Sequence, residues 1–126
     1  MPVTTSGSAA FKDIDEAEIH QIIADKVAEL IDRGFDTKTD PNGRPWAPDK
    51  NPKSNLLERT GALRRSIKVT VEGSDLVVRS ELPYADPINL GTYKMPARGF
   101  VPVGELPAEW RREIDEAVAR YIEERT

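Results

Sequence analysis

The chain has 126 residues, with 18 Lys and Arg against 22 Asp and Glu, no cysteine and one histidine. That length suits one domain, and the lack of cysteine excludes a disulfide scaffold or thiolate metal site and fits a reducing compartment during folding. A lone His20 leaves no zinc centre or histidine-base enzyme to build.

The start, MPVTTSGSAAF, has neither the basic nor the apolar segment of a secretory signal. No apolar run approaches the roughly 20 residues of a membrane span. A soluble protein made in the cytoplasm is expected. The net charge of −4 is unevenly placed. Residues 1–37 carry three basic and eight acidic side chains, residues 38–68 carry eight basic and three acidic, and residues 105–126 are acidic again. Segregated charge can orient copies, acidic face to basic face, or mark a phosphate-contacting segment. Taken singly, each acidic helix reads as a solvated face.

Residues 1–12 are small and polar and read as a flexible arm before a single domain, 13–126. From Asp13 to Arg33, apolar residues recur at Ile19, Ile22, Ile23, Val27, Leu30 and Ile31. That spacing predicts a helix with one buried stripe. Asp13 or Asp15 can cap it, Glu16 and Glu18 suit its positive end, and Gly34 is the expected stop. His20 falls at the edge of the stripe and reads as a surface side chain.

Residues 35–55 form a long extended arm. Pro41, Pro45, Pro48 and Pro52 forbid helix and central strand, and Asp40-Pro41-Asn42-Gly43 is a turn signal. A connection this long in a compact domain is usually functional or disordered. Trp46 argues against plain disorder, because its ring needs burial, on this domain's core or on a neighbouring subunit. Residues 56–67 predict a helical turn, then a second short helix capped by Thr60 with Gly61 at its first position, bearing Leu63, Arg64 and Arg65. Alternation of Ile67, Val69 and Val71 with polar residues, a turn at Gly73-Ser74 or at Gly73 through Asp75, and a return through Leu76-Val77-Val78-Arg79-Ser80 predict a β-hairpin.

Residues 84–100, YADPINLGTYKMPARGF, have no catalytic look. They predict a short helical turn ending at Gly91 in a left-handed conformation, then a path set by Pro96. Tyr84, Tyr93, Met95, Arg98 and Phe100 are its anchors, for a partner or for the core. Another strand is expected from Phe100 to Val103. Pro107 then opens a last helix, 108–124, with Trp110, Ile114, Ala117, Val118, Tyr121 and Ile122 on one stripe. The fold class is α+β, with long N-terminal and C-terminal helices packed on a small antiparallel β-sheet.

No phosphate loop, metal quartet or Ser/His/Asp set is present. Converging carboxylates for a metal nuclease would have to come from Asp36, Asp40, Asp49 and Asp86. The reading is therefore a non-enzymatic protein with no catalytic, cofactor or metal residues.

The order of the motifs is more specific than any one of them. Gly43-Arg44-Pro45-Trp46-Ala47-Pro48 is followed by Leu56-Leu57, by Thr60-Gly61-Ala62-Leu63 with Ser66-Ile67, by a hairpin, by Tyr84-Ala85, and by Met95-Pro96-Ala97-Arg98 with Phe100. This resembles the phage virion morphogenesis family, the tail-completion proteins of Mu-like and P2-like tailed phages, over residues 14–124. The chain departs from the family pattern at Pro87-Ile88-Asn89-Leu90, where a His or Gln type usually precedes the glycine, and at Gly99, where Pro is common.

The resemblance implies a structural virion protein at the head–tail junction or tail top, made in the host cytoplasm. It would assemble as a homo-oligomeric ring, a hexamer matching the tail tube, beside neck, connector and tail-tube proteins. Ring contacts are heterologous, so one face must complement another. The expected interface residues are Arg44, Trp46, Lys50, Lys53, Arg64, Arg65, Tyr84, Tyr93, Met95, Arg98 and Phe100. On this expectation Trp46→Ala abolishes assembly and leaves the monomer folded. Loss of the monomer fold would place Trp46 in the core. A tail terminator ring capping the tube is the neighbouring reading. The basic residues of 38–68 could instead contact DNA without sequence preference, in the channel of a ring or as a nucleic-acid-binding module.

Overall fold

A computed structural model of the chain describes residues 14–48, 56–92 and 95–125. The element order is α1 (Glu16–Thr37), α2 (Leu56–Ser66), β1 (Lys68–Glu72), β2 (Asp75–Arg79), α3 (Ala85–Leu90) and α4 (Ala108–Arg125). This is an α+β arrangement of long first and last helices with a two-stranded antiparallel sheet.

Helix α1 is the central element, packed on α4, on β1 and on α2. Its N-cap is Asp15, whose carboxylate accepts from the Ala17 amide at 2.9 Å. Its stripe buries Ala24, Val27, Leu30, Ile31 and Phe35. Opposite these lie Leu63 of α2, Ile88 of α3, Phe100, and Trp110 and Ile114 of α4, closing one core. Val27 and Leu63 are fully buried, and side chains of this size contribute about 1.5–3 kcal/mol each.

Helix α1 does not stop at Gly34. It runs one turn further to Thr37, and Lys38 takes the left-handed cap at φ 56°. The extra turn carries Phe35 into the core, a gain that outweighs the roughly 1 kcal/mol cost of an internal glycine. Nor is 56–66 two pieces. Thr60 is not an N-cap but lies, with Gly61, inside one continuous helix that seats Leu63.

The hairpin is found with register Lys68↔Arg79 through Glu72↔Asp75. Gly73 has φ 65° and Ser74 has no positive φ, as in a two-residue turn with glycine first. Residues 100–103 form no strand. The Phe100 and Val101 amides both donate to Asn89 Oδ1, at 2.8 and 3.1 Å, instead of to a ladder, and Pro102 has no amide to donate.

Candidate interaction site

The turn after α1 is built on Asp40. Its Oδ1 accepts from the Asn42 and Arg44 amides, both at 2.9 Å, and its backbone amide donates to Arg44 O at 2.8 Å. Gly43 closes the turn at φ 84°. The Trp46 amide then donates to Lys38 O at 2.8 Å, which returns the chain beside the end of α1. Thus 38–46 is a folded staple, and Trp46 leaves it at a fixed angle.

That angle turns Trp46 onto its own chain. The indole stands edge-on to Phe35, with centroids 5.5 Å apart and planes at 86°. Phe35 in turn packs on Phe100 at 5.4 Å. The indole Nε1 donates to Gly99 O at 2.8 Å. Next to it, Arg98 is 6% exposed. Its Nε donates to Ala47 O at 3.0 Å and its Nη2 to Pro48 O at 3.3 Å. The Arg98 amide donates to Ile88 O at 2.7 Å. Hence 46–48 and 98–100 form a reciprocal clasp: an indole grips one backbone and a guanidinium grips the other. Carbonyl oxygens replace part of the water a buried guanidinium loses.

Gly91, Thr92, Met95 and Ala97 lie next to the clasp along the chain and pack closely on one another. Gly91 ends α3 with φ 77° and ψ 170°, a positive φ but not the left-handed helical conformation expected. The close approach of the backbone is what requires glycine, since a Cβ there would lie 2.7 Å from the Ala97 nitrogen. Thr92 and Met95 exchange backbone hydrogen bonds of 2.9 and 3.2 Å.

Of the expected interface residues, Trp46, Tyr84 and Met95 lie half-buried on the core, while Arg98 and Phe100 are buried. Arg64 is engaged by α1: its Nε pairs with Asp32, and its Nη2 lies 2.7 Å from Asp36. The hydrogen bond from Arg64 holds the Asp32 carboxyl below its ordinary range, and the same contacts raise the guanidinium. Arg44 and Arg65 are exposed and, among the described residues, form no ion pair. Lys50, Lys53 and Tyr93 lie outside the described residues, as does the expected N-terminal arm. Arg59, also basic, stands 5.7 Å from the Tyr84 ring centroid.

Among the described residues, the dispersed carboxylates are not gathered. Asp36 faces Arg64, Asp40 holds its turn, and Asp86 is exposed in the first turn of α3; Asp49 lies outside the described residues. Among the described residues, no three His, Cys, Asp or Glu side chains are placed to hold a metal. No described helix is long and apolar enough to cross a membrane. Sequence reasoning missed Asn89, the double acceptor that anchors Phe100 and Val101. Nothing in Pro87-Ile88-Asn89-Leu90 signals that role, which depends on a segment eleven residues away.

Comparison of the chain with family models, with curated proteins and with solved structures finds no match.

Proposed function

We propose that this chain is a structural virion protein that completes the phage tail or joins it to the head, assembling as a ring at the neck. The observation that carries the reading is the clasp. The G-x-x-W-x-P and M-P-A-R-x-F elements, on which the resemblance to tail-completion proteins rests, stand 53 residues apart at Trp46 and Gly99 yet hold each other. A shared structural task explains why both elements occur in one chain in that order. In this reading the ring is a hexamer beside connector and tail-tube proteins, with DNA passing through its channel, and the protein belongs to the virion.

The clasp fixes the backbone at Ala47 and Pro48, because Arg98 donates to both of their carbonyls. Arg44 and Arg65 remain exposed for a ring contact. The same two cations favour a second reading, a non-enzymatic nucleic-acid-binding module, in which binding by the isolated chain falls steeply with salt.

The test is electron microscopy of lysates from the parent phage with this gene interrupted. Filled heads beside separate tails are expected. Overlong or irregular tails would move the protein to tail termination, and normal infectious particles would overturn the structural reading.

A further inference from the structure

Among the described residues, strand β2 has one partner: the sheet is β1–β2 only, and α1 packs on β1. The two-residue turn makes Glu72↔Asp75 a hydrogen-bonded pair, so by alternation Thr70↔Val77 and Lys68↔Arg79 are hydrogen-bonded too. Leu76 and Val78 therefore point their N–H and C=O groups away from β1. Among the described residues, no backbone hydrogen bond outside the sheet reaches either of them. Edge strands of this kind are normally blunted by proline, a bulge or a central charge. The middle of β2, Leu76-Val77-Val78, has none of these.

The ends of β2 indicate what fits it. Within the hairpin, like charges face each other: Lys68 opposite Arg79 and Glu72 opposite Asp75, an arrangement that weakens a pair of strands. An antiparallel copy of β2 centred on Val77 does the reverse. It sets Asp75 against Arg79 of the second copy, and Arg79 against its Asp75. It also opposes Leu76 to Val78, the two residues whose backbone groups face outward, so the register that pairs the charges also pairs the hydrogen bonds. A shift of one residue would lose both. Asp75 and Arg79 are exposed. Arg79 holds Glu72 of its own strand pair through its two terminal nitrogens, Nη2 at 3.2 Å, which leaves Nε free of that contact.

We propose that β2 is a docking edge for a second copy of this chain, joining two hairpins into one four-stranded antiparallel sheet about a two-fold axis at Val77. This inference does not rest on the ring reading. Its contact is isologous and closes at two, whereas ring contacts are heterologous.

The full chain is the material for the test, read by sedimentation velocity and by amide hydrogen exchange at Leu76 and Val78. The unaltered protein is expected to dimerise reversibly, with these two amides exchanging about tenfold or more slowly than in a monomer, and to dissociate as salt is raised. Asp75→Arg and Arg79→Asp each oppose like charges and should leave monomers with fast-exchanging edge amides. Mixed in equal amounts, the two variants present two basic–acidic contacts and should recover a heterodimer. The double variant, D75R/R79D, should recover a homodimer, and circular dichroism checks that each variant is folded. Unaltered protein whose edge amides exchange as fast as those of the single variants would overturn the proposal, as would failure of the mixture to associate. A larger oligomer that leaves Leu76 and Val78 unprotected would also overturn it, whatever it says of the ring.

Discussion

Trp46 and Arg98 illustrate how single side chains couple distant stretches. Trp46 combines an edge-on contact to Phe35 with a hydrogen bond to Gly99 O. Trp46→Ala should lower unfolding free energy in urea by about 2–4 kcal/mol, through lost packing and an unsatisfied carbonyl. Trp46→Phe keeps a ring and should cost about 1–2 kcal/mol. Equal losses in the two variants would show that the ring contributes little. Gly91 is constrained twice over, by its φ of 77° and by the Ala97 nitrogen in the place of a Cβ. Gly91→Ala should therefore cost about 1–3 kcal/mol, read in the same urea titration. Gly43, at φ 84° with open space around it, should tolerate alanine better.

Helix α1 is tied to its neighbours by ion pairs as well as by its apolar stripe. Arg33 Nη1 lies 2.8 Å from Glu113 of α4, and Arg64 of α2 pairs with Asp32. The guanidinium hydrogen bonds hold both the Glu113 and the Asp32 carboxyls below their ordinary values. The unfolded chain then binds these protons more readily than the folded one. The stability they supply is present above the usual carboxylate range, about pH 4, and is lost as pH falls through the lower folded values. Thermal melts between about pH 5 and 3 should show a falling midpoint. Arg33→Met and Arg64→Met should each flatten that dependence, and an unchanged slope in both would assign acid sensitivity to other groups. At the far end of α1, Tyr121 of α4 accepts from the Asp15 amide at 3.1 Å and donates to Glu18. Tyr121→Phe should cost about 1 kcal/mol and speed amide exchange in the first turn of α1.

Across the whole molecule, charge is less segregated in space than along the chain. The acidic first helix and the basic middle segment meet within one subunit at Arg64, Asp32 and Asp36. Among the described residues, Arg44 and Arg65, with Lys38 and Lys68, stay exposed for a neighbour, as does the β2 edge. If ring assembly uses the two exposed arginines, Arg44→Glu with Arg65→Glu should abolish rings seen by electron microscopy while leaving the melting midpoint within a few degrees of the parent. Rings that persist in the double variant would remove these arginines from the contact.

By itself, the sequence determined what periodicity and turn chemistry specify. The stripes of α1 and α4, the hairpin from Ile67 to Ser80, the Asp40-Pro41-Asn42-Gly43 turn and the α+β class are all local patterns, set by 3.6- or 2-residue spacing and by glycine at a positive φ. The ends of the elements were not legible in the same way. Gly34 and Thr60 look like boundaries, and only the burial of Phe35 and Leu63 carries helix through or past them. The direction of Trp46 was open between its own core and a neighbour. Tertiary structure turned it inward, because the partners that fix it, Phe35, Gly99 O and the Arg98 strut, are separated from it along the chain and meet only when the core closes.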